Sequence, residues 1–336
     1  MRAPGFWSRP PGPAAVLLAP LAGLWTLATR RRLARPPRYT APVPVLCVGN
    51  LVAGGAGKTP VVLDLARRLR ARGIDARTLS RGHGGRLAGP LAVDPARHGA
   101  AAVGDEPLLL AARGPAWIAR DRAAGAAALV AAGAGAIIMD DGFQNPDPAK
   151  SLSLLVVDGA AGFGNGRVIP AGPLREPLAD GLARADGLVL LGEDRAGVAA
   201  LLAAREERRR LPLLRGRLAP DPAAAAALAG RRVLAFAGIG RPQKFFATLA
   251  DLGAVLAETL AFADHHPYSR AEIEDLLRRA ARDGLVAVTT EKDAVRLPAD
   301  LRDAVHVLPV TVEWADAAAL EGLLDRMLER GHGQAQ

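Results

Sequence analysis

The sequence predicts an α/β fold: a parallel sheet flanked by helices, a second, smaller α/β lobe, and a hydrophobic helix at the N-terminus. Three observations predict it. Short apolar, β-branched runs alternate with amphipathic stretches along most of the chain, the pattern of parallel strands joined by crossover helices. A glycine-rich loop, "GNLVAGGAGKTP" at 49–60, sits between one such run and one such stretch. The first 40 residues hold a long uncharged run followed by clustered arginines. A chain of 336 residues with 50% hydrophobic content is long enough for more than one core.

The N-terminal segment comes first. No Asp or Glu occurs before Asp64, whereas Arg2, Arg9, Arg30, Arg31, Arg32, Arg35 and Arg38 precede it. "PPGPAAVLLAPLAGLWTLAT" carries no charge, and its best apolar run, Ala14 to Thr29, is interrupted by Pro20. A signal peptide would end in a small-residue cleavage site, but "RRR" stands there. A core helix is one alternative. The expected role is a membrane anchor whose arginine tail rests on anionic headgroups. Spanning a bilayer takes roughly 20 apolar residues, so crossing the membrane and lying on it both remain open for this run.

Val43 to Val48 reads as a buried strand. The glycine loop follows, then a helix with Val61, Val62, Leu65 and Leu69 on one face and Gly73 at its stop. Further strands are expected in "DARTLS", "AWIARD", "AIIMDDG", "LSLLVVDG" and "ADGLVLLGE", with helices in "GDEPLLLAARG" and "DRAAGAAALVAAGA". Residues 205–230 mix a charge run, prolines and an alanine tract, and read as a linker. Beyond it come "RRVLAFAGIG", "AVLAETLAF", "LVAVTT" and "AVHVLPVTVEW" as strands, and "PQKFFATLADLG" and "SRAEIEDLLRRAARDG" as helices. Ser269 and Glu272 make a capping box for the last of these. The expected division is therefore 1–40 membrane-associated, 41–204 the domain with the glycine loop, 205–230 linker and 231–336 the smaller lobe.

Lys and Arg total 43 against 34 acids, a formal charge of +9, which favours an anionic partner. Cys47 is the only cysteine, so an intrachain disulfide is excluded and a cysteine-based zinc site disfavoured.

The glycine loop is a P-loop of deviant form. The strict G-x-x-x-x-G-K-[ST] pattern would place its first glycine where Val52 stands. Gly54 and Gly55 supply "AGGAGKT" instead. Glycines still permit positive φ, close backbone approach and an anion nest, and the following helix adds its dipole. Val52, Ala53, Gly54, Gly55, Ala56, Gly57, Lys58 and Thr59 are the expected nucleotide-binding residues. Lys58 is expected to reach the β/γ-phosphates and Thr59 to ligate magnesium. "AIIMDDG" is a Walker B strand, placing Asp140 and Asp141 as hard oxygen donors for Mg²⁺. Together these motifs predict a nucleoside triphosphate and Mg²⁺, without saying where the phosphate goes.

Eight further stretches carry a resemblance: "VPVLCVGNLVAGGAGKTP", "LSRGHGG", "VGDEPLLLA", "DDGFQ", "VVDGAAGFGNGRVIPAGPLREPL", "FAGIGRPQKFF", "FADHHPYS" and "TTEKDAVRLP". In this order, over about residues 10 to 315, they resemble the tetraacyldisaccharide 4′-kinases of lipid A biosynthesis. The resemblance implies ATP-dependent phosphorylation of the 4′-hydroxyl of a tetraacyl-disaccharide 1-phosphate at the cytoplasmic face of the inner membrane. It implies Asp105 as general base, with His265 orienting or polarising it and Asp264 holding the histidine ring. It places Arg175 and Glu176 near the phosphates or the metal, and Arg122 and Arg81 as further substrate or phosphate contacts. Asn145 stands where the family has His, and His83 where it has Tyr. The alternative is a membrane-bound switch ATPase with a deviant P-loop. Those ATPases carry a second lysine early in the loop, where this chain has Ala53. No nucleic-acid partner is expected, and the oligomeric state is open.

Overall fold

The computed structural model describes residues 4–204 and 211–332, without the side chains of 330–332. The first eight strands are β1 (Val45–Gly49), β2 (Ala76–Ser80), β3 (Leu91–Ala92), β4 (Ala116–Ile118), β5 (Ala136–Asp140), β6 (Leu152–Asp158), β7 (Gly187–Leu191) and β8 (Leu213–Pro220). Then come β9 (Arg232–Ala237), β10 (Val255–Ala261), β11 (Val286–Thr290), β12 (His306–Leu308) and β13 (Val310–Trp314). Among the described residues they form a nine-stranded sheet, ordered β13-β8-β7-β6-β1-β5-β2-β4-β3, and a four-stranded sheet, ordered β10-β9-β11-β12. The larger sheet is parallel except at its two edges, where β3 and β13 run antiparallel to their neighbours.

Every residue of β1, β5 and β7 is buried, because helices cover both faces of the larger sheet. The Lys58–Ala71 helix turns Val61, Val62, Leu65 and Leu69 into the core, as its periodicity predicts. β1 lies between β5 and β6, so the chain leaves its carboxyl end where strand order reverses, the usual binding crevice of such sheets.

Two stretches depart from the expected boundaries. Leu213–Pro220, inside the stretch read as a linker, is β8 and pairs with β7 and β13. Arg205–Arg210 of that stretch lie outside the described residues. "AVHVLPVTVEW", read as one strand, is two. Pro309 lacks an N–H and separates them. β12 stays in the smaller sheet, while β13 crosses to the larger one. The Ala317–His332 helix then packs Leu320, Leu323, Leu324 and Met327 into the larger core. The smaller lobe therefore ends near 309 rather than at 336.

The N-terminal run forms two helices, Pro13–Leu17 and Ala19–Leu33, with Pro20 in the first turn of the second. Ala15, Ala22 and Thr29 face inward, whereas Val16, Leu17, Leu21, Leu24, Trp25 and Leu27 are exposed. The longer helix ends in three arginines, so it carries an apolar surface rather than being hydrophobic throughout. No helix among the described residues is long and apolar enough to cross a membrane.

The lobes meet through Val295, which packs against Val103, Leu108 and Ile118, and through the Arg113–Glu291 and Arg241–Asp158 ion pairs.

Candidate active site

The P-loop is built from β1 outward. A Cβ on Gly49 would lie 2.4 Å from that of Phe143, so only glycine lets this strand end pack on the "DDGFQ" turn. Asn50 is fully buried, and its amide donates to the carbonyls of Val52 (2.9 Å) and Gly54 (3.2 Å), shaping the loop from inside. Val52 bridges Leu174, and the Ala53 N–H donates to the Pro173 carbonyl at 2.8 Å. Gly57, at φ 81°, caps the Lys58–Ala71 helix in the left-handed region that glycine alone enters freely. The helix amino end therefore faces the loop, with its dipole and unpaired N–H groups available to an anion.

In the parallel pairing Val48 lies opposite Asp140, so the carboxylates stand level with the start of the loop. The Thr59 hydroxyl donates to Asp140 Oδ2 at 3.3 Å. Asp140 Oδ1 is buried and, among the described residues, without a hydrogen-bond partner. Burial, reinforced by the Glu106 carboxylate, pushes Asp140 up to about 7. Asp141 behaves oppositely. Burial would raise it, but Lys58 (3.6 Å) and Arg175 (3.0 and 3.1 Å) outweigh burial and hold it below the ordinary carboxylate value.

A second cluster joins the lobes. Asp105 opens the Asp105–Ala111 helix and is buried, and His265 Nδ1 lies 2.7 Å from its Oδ2. Lys292 Nζ is 3.3 Å from His265 Nε2. An ammonium only donates, so Nε2 accepts and Nδ1 carries the proton donated to Asp105. Arg296 Nε lies 3.7 Å from Asp105. Arg296 is itself held by Asp293 (2.6 Å) and by the carbonyls of Gly238 and His266 (both 3.0 Å). Asp293 is fully buried and also accepts from Tyr268 at 2.8 Å. Among the described residues, Asp141 (φ 57°) and His265 (φ 60°) are the non-glycine residues with positive φ. Backbone strain of this kind gathers at functional sites.

The family of tetraacyldisaccharide-1-P 4′-kinases matches residues 14–329. The chain belongs to the tetraacyldisaccharide 4′-kinase family. A relative of that name from Rhodospirillum centenum is 65% identical over the full length of both chains. Another, from Dinoroseobacter shibae, is 57% identical, covering 97% of this chain and 98% of its own. The crystal structure of LpxK from Aquifex aeolicus in complex with ATP is similar at 27% identity and a TM-score of 0.74, covering 94% of this chain and 99% of that one. The activity is thus that of an ATP-dependent 4′-kinase of lipid A biosynthesis. The switch ATPase reading falls with it.

Within this kinase the expected residues are not all in one place. Lys58, Thr59, Asp140, Asp141 and Arg175 converge, and Asp105 meets His265. Asp264 does not hold the histidine ring by a hydrogen bond: its carboxylate is 3.8 Å from Nε2, and Asp105 makes the short contact instead. Glu176 is buried and bonded to Gln144 (3.0 Å) and Arg184. Arg122 is buried with one N–H on the Ala119 carbonyl at 2.7 Å and its Nε unpaired among the described residues. Burial pushes it down to about 10, against the pull of Asp140 and Asp141. Arg81 is exposed. Asn145 closes a turn, accepting from the Asp147 N–H at 3.0 Å, and His83 is exposed.

Sequence reasoning missed Asn50, Glu106, Gln144, Lys292 and Arg296. All fall in quoted motifs without being given a role, Asn50 at the start of the glycine loop itself.

Proposed function

We propose that the P-loop cluster and the Asp105–His265 pair are the two halves of one phosphoryl-transfer site acting on a membrane-borne acceptor. The observation that carries this reading is the 2.7 Å contact between Asp105 of the larger lobe and His265 of the smaller. It sets a candidate base at the lobe boundary, on the helix between β3 and β4.

In this reading residues 52–59 bind the triphosphate of ATP through backbone N–H groups and the Lys58 ammonium. Lys58 and Arg175 neutralise charge on the transferring group. Asp105 accepts the proton of the 4′-hydroxyl as that oxygen attacks the γ-phosphorus and the bond from that phosphorus to the β–γ bridging oxygen breaks, releasing ADP. His265, its Nδ1–H aimed at Asp105, orients the carboxylate, and Lys292 fixes the ring. The donor set suits a hard cation. Thr59, Asp140 and Asp141 offer only oxygen, and the unpaired buried Oδ1 of Asp140 is the acceptor such an ion would satisfy. Thr59, Asp140 and Asp141 would hold Mg²⁺ there, and it would supply positive charge to the phosphate oxygens.

The exposed Val16, Leu17, Leu21, Leu24, Trp25 and Leu27, beside exposed Arg31, Arg32 and Arg35, form an amphipathic face for an anionic membrane surface. We place the enzyme on the cytoplasmic side of the inner membrane, with this face lying on the bilayer. Arg30 and Arg38 are engaged instead with Asp180, and with Asp121 and Asp147.

The test is acceptor dependence. Purified protein with ATP, Mg²⁺ and a tetraacyl-disaccharide 1-phosphate in detergent should release ADP in proportion to acceptor. ³¹P NMR should place the new phosphate at the 4′ position. ATP turnover that ignores the acceptor overturns the reading.

A further inference from the structure

Trp7, Trp25 and Arg30 of the N-terminal segment all reach one stretch of the lobe, residues 165–180. The Trp7 indole N–H donates to the Pro170 carbonyl at 3.1 Å, and the Asn165 N–H donates to the Trp7 carbonyl at 2.8 Å. The Trp25 indole N–H donates to the Arg175 carbonyl at 2.9 Å, and Arg30 pairs with Asp180 at 2.6 Å. The same stretch lines the mouth of the P-loop. Arg175 donates its own N–H to the Leu51 carbonyl at 2.7 Å.

We propose that Trp25 is a positioning residue for phosphoryl transfer: its indole N–H fixes the Arg175 main chain and couples the membrane-facing helix to the Arg175–Asp141 pair. The Arg175 peptide is held on one side by the β1 end and on the other by the N-terminal helix. Its guanidinium then reaches both oxygens of Asp141, at 3.0 and 3.1 Å. Rooting a long flexible side chain at its backbone removes many of the states in which that contact is lost. Ala22 and Thr29 pack inward, a groove of about 240 Å³ lined by residues that include Thr29, Leu33, Glu176 and Arg184 runs beside the helix, and the polar contacts fix its position along residues 165–180. One helix thus does two separable things: Leu17, Leu21 and Leu24 face outward for attachment, while Trp25 points its N–H inward.

The inference rests on Arg175 acting at the transferring phosphate, and the experiment tests the two claims apart. Trp25→Phe keeps an aromatic ring at a half-exposed position and removes the N–H together with the five-membered ring that carries it. In mixed micelles with saturating ATP and acceptor, kcat should fall about five-fold, the effect of one hydrogen bond. KM for both substrates, thermal midpoint and sedimentation with phosphatidylglycerol vesicles should stay as in wild type. Leu17→Ser, Leu21→Ser and Leu24→Ser combined should do the reverse, losing vesicle binding while keeping kcat in micelles. Arg175→Lys should lower kcat by itself, and adding Trp25→Phe to it should cost little more, because both changes act through one contact. An unchanged kcat in Trp25→Phe, or losses that multiply in the double variant, overturns the proposal. An Arg175→Lys enzyme with wild-type kcat overturns the placement of Arg175 and the proposal with it.

Discussion

Replacing Asp140 by Asn should make the metal-free protein more stable and the enzyme nearly inactive. Asp140 is fully buried at the end of β5, and its ionisation is raised from 3.8 to about 7. That is a shift of about three units, each worth about 1.4 kcal/mol, so the buried charge costs the folded state roughly 4 kcal/mol. The sign follows from proton linkage. A carboxyl whose folded pKa exceeds its unfolded value keeps its proton longer in the folded state. Stability therefore declines as pH rises from about 4 to about 7, and the full cost applies above that. Asn has no charge to bury and still offers an oxygen to the Thr59 hydroxyl. At about 2 °C per kcal/mol for a chain of this size, the variant should melt several degrees above wild type at pH 8 and level with it near pH 4. Differential scanning fluorimetry without Mg²⁺ reads this directly. Adding Mg²⁺ should raise the wild-type midpoint at pH 8 and leave the variant unmoved, and transfer should drop by about a hundred-fold or more. A variant no more stable than wild type at pH 8, or equally stabilised at pH 5 and pH 8, refutes the reasoning.

Lys58→Ala should abolish transfer while circular dichroism stays native, because Lys58 opens its helix and, among the described residues, pairs with Asp141 rather than with the core; activity within a few-fold of wild type would remove it from the phosphate site. Asp105→Asn should lower kcat by about 10²–10⁴-fold and leave ATP affinity, read by fluorescence titration, nearly unchanged. His265→Ala should cost less, and the two changes together little more than Asp105→Asn alone. Gly49→Ala should destabilise the fold by about 1–3 kcal/mol in urea melts, since its new methyl would meet Phe143 Cβ at 2.4 Å.

The features readable from sequence are those whose parts lie close along the chain. β1, the glycine loop and the Lys58–Ala71 helix are consecutive, so apolar run, glycines and helical period report one local event. Asp140 and Asp141 are legible for the same reason: a strand end is marked by where its apolar run stops. The Ser269–Glu272 capping box spans four residues and is present as read, with the Ser269 hydroxyl and the Glu272 carboxylate each meeting the other's N–H. The low-complexity stretch misled because composition reports the average surroundings of a segment. β8 alternates exposed and buried positions within it, and pairing with β7 and β13 supplies the order that composition lacks.

The long-range choices belong to the folded chain. Asp105 and Asp264 are both acidic and both near His265 in motif terms, yet only Asp105, 160 residues away, makes the 2.7 Å contact. Lys292 reaches the same ring from the turn after β11, and Trp25 reaches Arg175 across 150 residues. No periodicity encodes such pairs, because they depend on how sheets order their strands and how two lobes close. Residue types along the chain marked the strand, glycine loop and helix around Gly57, the acids at the end of β5 and an uncharged N-terminal run flanked by arginines, each through local backbone and solvent preferences. Packing chose which carboxylate meets the histidine, sent β13 back to the larger sheet, and turned one tryptophan's N–H from an exposed apolar face toward the Arg175 carbonyl.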